Sequence, residues 1–126
     1  MHKYKILVID DENDIVETTA FMLRSKGFSV ITAFDGNDGI IKAKDQQPDI
    51  IMLDLRMPQM DGFEVCNKLK SDDVTKRIPV IILTAMNDNN AHYKAHKYGA
   101  DDYIIKPFIL PILVTKINKF LYPKDQ

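Results

Sequence analysis

Five short apolar runs rich in β-branched residues recur along the chain, and their alternation with helical spacing constrains the fold more than any other feature. The runs are Ile6-Leu7-Val8-Ile9, Ser29-Val30-Ile31, Ile50-Ile51-Met52-Leu53, Val80-Ile81-Ile82-Leu83 and Tyr103-Ile104-Ile105. Each is too short for a helix and reads as a strand. Three of them are apolar without alternation, as central parallel strands covered on both faces are, whereas the second is flanked by polar residues as an edge strand is. Between them, Ile15, Thr19, Met22 and Leu23, then Ile40, Ile41 and Ala43, then Phe63, Val65, Cys66 and Leu69 follow helical spacing. A last helix is expected from about Pro111 through Ile112, Leu113, Ile117 and Phe120, with Pro123 ending it. Gly27 and Gly99 fall where left-handed helix C-caps are wanted, and Pro48 and Pro79 fall just ahead of strands. Strands and helices that alternate with right-handed crossovers imply an α/β, doubly wound, five-stranded parallel sheet in a three-layer sandwich. A chain of 126 residues with no repeat or linker is expected to form a single domain over 1–126.

Charge narrows the function classes. Lys plus Arg (17) nearly cancels Asp plus Glu (18), and no basic stripe is present of the kind that phosphate-backbone binding needs, so direct nucleic-acid binding is not expected. No apolar stretch approaches the roughly twenty residues that cross a bilayer. The single cysteine, Cys66, cannot form an internal disulfide, and Met1-His2-Lys3-Tyr4-Lys5 leads straight into the first strand-like run, so the expected location is the cytoplasm.

The chemistry collects at the strand ends. The first run is followed by Asp10-Asp11-Glu12, the third by Asp54, the fourth by Thr84 and the fifth by Lys106. In a doubly wound sheet the ligand site lies beyond the carboxyl ends of the strands. If strands one and three are neighbours, Asp10, Asp11 and Asp54 converge, and like charges that close need a proton or a cation between them. Oxygen-only ligands suit Mg²⁺ or a similar hard ion. Asp54 is the best nucleophile: it ends a strongly apolar central strand, ahead of Leu55-Arg56-Met57-Pro58, and a carboxylate can accept a phosphoryl group covalently. A metal ion there neutralises the incoming phosphoryl group, the Lys106 ammonium meets one of its oxygens and the Thr84 hydroxyl another. Aspartate is common after strands as a turn former. Three aspartates with a hydroxyl and an ammonium on two further strand ends make a site the better reading. No G-x-G-x-x-G and no P-loop occurs, which argues against nucleotide binding through those motifs.

These residues resemble the receiver domain of bacterial two-component response regulators, of the chemotaxis-regulator type. The resemblance runs through Val8-Ile9-Asp10-Asp11-Glu12, Asp54-Leu55-Arg56-Met57-Pro58 with Met60-Asp61-Gly62, Leu83-Thr84-Ala85, Gly99-Ala100-Asp101-Asp102-Tyr103 and Lys106-Pro107-Phe108. It implies a flavodoxin-like sheet of order 2-1-3-4-5. It also implies that Asp54 is phosphorylated by a histidine kinase or histidine phosphotransfer protein. Asp10, Asp11, Asp54 and the Arg56 backbone carbonyl would hold Mg²⁺, and Lys106 and Thr84 would read the phosphoryl group. Thr84 would shift and Tyr103 turn inward, remodelling the helix four, strand five and helix five surface for a downstream partner or a homodimer. The Lys106-Pro107 peptide would be cis. Arg56 and Met86 occupy the positions that gate water in the family, and neither is suited to positioning it, so slow self-dephosphorylation is expected.

Other features carry less. A metal-dependent phosphatase with an aspartyl nucleophile would want Asp-X-Asp where this chain has Asp10-Asp11-Glu12, and a receiver-like binding module that works without phosphorylation is the second rival. Phe108-Ile109-Leu110-Pro111-Ile112-Leu113 lacks a polar cap and an acid ahead of the last helix, so its apolar residues either dock a partner or fold under the helix. His92 and His96 have the spacing of a zinc pair but no third ligand, and read better as a solvated helix face. Cys66 reads as a packed residue, and Asn87-Asp88-Asn89-Asn90 as a loop and helix start. With the chain stopping at Pro123-Lys124-Asp125-Gln126, no output domain is expected within it, whether it stands alone or is part of a longer regulator.

Overall fold

The computed structural model describes residues 3–57, 60–85 and 90–122, without the side chains of Ala91 and His92. Pro58, Met86, the Asn87, Asp88 and Asn89 stretch, Pro123 and the His92 imidazole therefore lie outside the described residues.

The elements alternate as β1 (Lys5–Ile9), α1 (Asn13–Ser25), β2 (Ser29–Ala33), α2 (Gly36–Gln46), β3 (Ile50–Asp54), α3 (Gly62–Lys70), β4 (Val80–Ala85), α4 (Ala91–Lys97), β5 (Asp102–Lys106) and α5 (Leu110–Leu121). The sheet has the order β2-β1-β3-β4-β5, and every neighbouring pair is parallel. Residues of alternate parity enter two cores, as the two-residue period of a strand requires. On one face Leu7, Ile9, Ile51, Leu53 and Ile82 pack with Ala43 of α2, Val65, Cys66 and Leu69 of α3, and Ala95 of α4. On the other, Ile6, Val8, Ile50, Met52, Ile81 and Leu83 pack with Leu23 of α1 and Leu113 and Ile117 of α5. Complete burial of each such aliphatic side chain is worth about 1.5–3 kcal/mol. The half-buried β2, with four of its five residues intermediate in exposure, is the edge strand that its polar flanks predict.

Three strands run beyond their apolar cores. Asp54, Ala85 and Lys106 are the last residues of their strands, with Asp54 in register with Leu83, Thr84 with Ile105, and Ala85 with Lys106. The sheet ladder continues after the side chains turn polar, so these groups sit on rigid backbone and not in loops.

Helix ends follow local chemistry. The Asp35 carboxylate accepts the Asp38 N–H at 2.7 Å, and the Asp61 carboxylate accepts the Glu64 N–H at 2.9 Å. Gly27 and Gly99 follow α1 and α4 with φ of 93° and 89°. Helix α5 starts at Leu110 with no side-chain cap on Ile109 and Pro111 in its first turn. Phe108 and Leu110 pack against the core while Ile109 stays 64% exposed, so this apolar stretch divides between the two readings its sequence offered.

The start of β5 is fastened twice. Asp101 donates its N–H to the Val80 carbonyl at 2.8 Å, and its carboxylate accepts the Val80 N–H at 2.8 Å and the Lys70 ammonium at 2.8 Å.

Candidate functional site

Strands β1 and β3 are neighbours, and the polar residues that end them meet at one edge of the sheet. Carboxylate oxygens of Asp10, Asp11 and Asp54 all lie within 4.8 Å of one another. Asp10 is fully buried; its Oδ1 accepts the Glu12 N–H at 3.1 Å, and its own N–H donates to the Ala33 carbonyl at 3.1 Å. Asp54 is 5% exposed. From the far side of the sheet Lys106 reaches back across β4: its Nζ donates to Asp54 Oδ1 at 2.5 Å and to Asp10 Oδ2 at 3.4 Å.

Burial pushes the Asp54 carboxyl above the ordinary carboxylate range. The Lys106 hydrogen bond pulls it back, and Asp10 and Asp11 push it up again. Burial works against the charged form of Lys106, yet its hydrogen bond and attraction to Asp54, with help from Asp10, hold the ammonium above its usual value. The two upward shifts have different leading causes: burial for Asp54, and the two carboxylates of Asp54 and Asp10 for Lys106. One ammonium bonded to two carboxylates, with Asp11 adding a third negative charge nearby, leaves the cluster under-neutralised. An all-oxygen donor set with excess negative charge fits a hard divalent cation. It is the only group of three or more metal-ligating side chains of this kind among the described residues.

Thr84, on β4 between β3 and β5, is 2% exposed, and its Oγ1 has no hydrogen-bond partner among the described residues. A buried hydroxyl left in that state costs on the order of 1–3 kcal/mol. Arg56, two residues past Asp54, points an exposed side chain to solvent. The Lys106–Pro107 peptide is cis. Tyr103 packs partly buried against the α3 side of the core, with the Lys116 ammonium 5.8 Å from its ring centroid. Lys116 in turn pairs with Asp102 at 3.0 Å, as Lys119 does at 3.2 Å.

The sequence placed Asp10, Asp11, Asp54 and Lys106 in one cluster, and the structure brings those four into contact. Asp101 and Asp102 were visible only as part of a motif; their roles as a strand fastener and as the partner of two α5 lysines depend on long-range contacts that no local signal announces. An apolar groove of about 540 Å³ runs from Lys106 and Pro107 past Phe108 to Ile15, Thr18 and Met22 of α1. Cys66 is buried, and burial pushes its thiol up to about 11, which leaves it inert. No helix among the described residues is long and apolar enough to cross a membrane.

Known proteins share both sequence and fold. A sequence model of the response regulator receiver domain matches residues 6–118. The DNA-binding dual master transcriptional regulator RpaA of Synechocystis is 38% identical over 97% of this chain, which covers 51% of RpaA. The chain spans about half the length of the curated relatives it matches. The chemotaxis protein CheY4 of Vibrio cholerae superposes with a TM-score of 0.89 at 28% identity, covering 94% of this chain and 99% of that one. The receiver domain of the sensor histidine kinase PA1611 of Pseudomonas aeruginosa, solved with a magnesium ion coordinated in its active site cleft, superposes with a TM-score of 0.88 at 28% identity over 95% of this chain and 98% of that one.

Proposed function

The chain belongs to the response-regulator receiver family, a regulatory domain whose general function is phosphorylation-dependent switching, and from that premise we propose that Asp54 is its phosphoacceptor. The observation that carries this is the convergence of three carboxylates at the carboxyl edge of the sheet, two of them bonded to the half-buried Lys106 ammonium. We further propose that residues 1–126 work as one receiver unit in the cytoplasm, supplied by a histidine kinase or histidine phosphotransfer protein.

In this reading Asp10, Asp11, Asp54 and the Arg56 backbone carbonyl hold Mg²⁺, which when bound supplies the positive charge that offsets the phosphoryl oxygens. An Asp54 carboxylate oxygen forms a bond to phosphorus as the bond from phosphorus to the donor's imidazole nitrogen breaks, leaving an acyl phosphate and a free histidine. Lys106 gives up its contact with Asp54 Oδ1 and pairs with a phosphoryl oxygen, exchanging one anion for a more highly charged one. Thr84 Oγ1, without a hydrogen-bond partner among the described residues, donates to another phosphoryl oxygen. Reversal of the state is hydrolysis: water attacks phosphorus, phosphate leaves and the Asp54 carboxylate returns. The chain catalyses only its own phosphorylation and dephosphorylation, and turns over no separate substrate.

The signal leaves through α4, β5 and α5. Movement of Thr84 makes room for Tyr103 to turn further inward, and the exposed Ile105, Ile109 and Ile112 around it give a downstream protein or a second copy an apolar footing that changes with the state of Asp54. The groove between Lys106 and α1 offers the phosphodonor an apolar footing beside the acceptor.

The test is the intact mass after incubation with Mg²⁺ and acetyl phosphate, beside Asp54→Asn. One added phosphoryl group in the parent alone is expected. No gain in a folded parent would favour a binding module that works without phosphorylation.

A further inference from the structure

The geometry points to Gly62 as a positioning residue for the acceptor, an inference that rests on the assignment of Asp54 above. Gly62 is the first residue of α3 and its N–H donates to the Leu55 carbonyl at 2.8 Å, closing the turn that follows Asp54. It does not adopt the left-handed backbone of Gly27 and Gly99, so conformational freedom is not what the position demands. Nor does helix formation explain a glycine, the poorest helix former after proline. What the position demands is space. A β-carbon built on Gly62 would lie 2.5 Å from the Asp54 carbonyl oxygen, 2.8 Å from the Leu55 Cα and 3.1 Å from the Asp54 carbonyl carbon. Carbon contacts are normally about 3.5–4.0 Å apart, and all three of these atoms are backbone, so no rotamer change can relieve the overlap. The helix start lies directly on the peptide unit that joins Asp54 to Leu55.

The first turn of α3 is held down by its own cap, the Asp61 carboxylate on the Glu64 N–H. Asp61, Gly62 and the 54–55 peptide therefore form a stack in which the helix start sets the height of the acceptor and of the Arg56 carbonyl beyond it. Any side chain at 62 lifts that peptide away from Asp10 and Lys106, whereas other close-packed glycines act elsewhere. A β-carbon on Gly36 would meet Val65 Cγ2 at 2.6 Å and Met60 at 3.2 Å, which are side chains and not the backbone that carries Asp54.

The test follows acyl phosphate formation from acetyl phosphate by intact mass as Mg²⁺ is varied, in the parent, Gly62→Ala, Gly36→Ala, Asp61→Ala and Asp61→Asn, with folding of each checked by circular dichroism. Gly62→Ala is expected to be phosphorylated at least tenfold more slowly and to need several-fold more Mg²⁺, while Gly36→Ala stays within twofold of the parent. Asp61→Ala, which frees the first turn without adding bulk, should shift the Mg²⁺ requirement in the same direction. Asp61→Asn should restore it, since asparagine caps as well as aspartate and removes the same charge. A folded Gly62→Ala within twofold of the parent overturns the inference. If Gly62→Ala does not fold, an Asp61→Ala protein indistinguishable from the parent overturns it. A parent that takes up no phosphoryl group overturns the acceptor assignment first, and this inference with it.

Discussion

The Lys106 ammonium lies 2.5 Å from Asp54 Oδ1, so the carboxylate proposed as acceptor is already paired with the cation that reaches it from two strands away. In the proposed reaction a phosphoryl oxygen takes over that pairing. Replacing Lys106 with methionine should therefore slow phosphorylation of Asp54 by acetyl phosphate by about 10²-fold, the scale on which loss of one pre-aimed transition-state donor is felt. Rates followed by intact mass at saturating Mg²⁺ check this, and a rate within threefold of the parent would contradict it.

Mg²⁺ should stabilise the fold. A ligand that binds only the native state at a hundred times its dissociation constant adds about 2.7 kcal/mol. Urea unfolding with and without Mg²⁺ is expected to show a clear gain in the parent and little or none in Asp10→Asn, which removes a buried carboxylate from the cluster.

Thr84 should separate stability from signalling. Thr84→Val replaces a buried hydroxyl that has no partner among the described residues with a methyl group of similar shape, so the unphosphorylated protein should be unchanged or more stable, by up to roughly 1 kcal/mol. The same variant should still be phosphorylated but should lose the phosphorylation-dependent shifts of the β5 and α5 amides in a ¹H–¹⁵N spectrum. Retention of those shifts would remove Thr84 from the switch.

Asp102 makes stability depend on pH in a definite direction. Burial raises its carboxyl, but the Lys116 hydrogen bond, the Tyr103 N–H and the Lys119 hydrogen bond outweigh burial and hold it below the ordinary value. A carboxyl lowered by folding contributes stability that is fully present above its unfolded value, near 3.9, and that is lost as pH falls through the lower folded value. The stability difference between the parent and Asp102→Asn should thus be constant from neutral pH down to about pH 5, and shrink below about pH 4. Urea midpoints across that range decide it; a difference that grows on acidification has the wrong sign.

The groove on α1 should matter to protein donors only. Met22→Glu places a charge in the apolar channel that ends at Lys106 and should slow transfer from a histidine kinase at least tenfold while leaving acetyl phosphate within twofold. Equal effects on both donors would show damage to the site itself.

Self-dephosphorylation should be slow, with the acyl phosphate lasting minutes or longer, because the exposed Arg56 side chain two residues past the acceptor is not suited to positioning water. Decay followed by intact mass after removal of acetyl phosphate checks this, and a half-life of seconds would contradict it.

The layer architecture was legible because Ile50, Ile51, Met52 and Leu53, like Val80 through Leu83, are apolar on both strand faces, which only a covered central strand tolerates. Asp54 and Lys106 were legible because charged residues ending such strands demand partners. The end of β4 was not: the sequence places it at Thr84, while the backbone ladder takes no notice of side-chain polarity and carries on to Ala85. Gln47 ends α2 with a φ of 45°, where glycine is the usual signal, so that cap was invisible in sequence. Gly62 was visible only as part of the Met60-Asp61-Gly62 motif, because the backbone it rests on, at Asp54 and Leu55, lies a whole turn and loop earlier in the chain.

The double attachment of Asp101 gives β5 the mechanics of a lever. The residue just ahead of it, Asp101, is tied to Val80 and Lys70, while its last residue is Lys106, the one proposed to exchange partners. In the proposed switch the Asp101 end would stay anchored while the Lys106 end changes partner, so any displacement would grow along the strand. It would be felt most at Ile105 and the turn to Ile109, and least beside the ion pairs of Asp102 with α5.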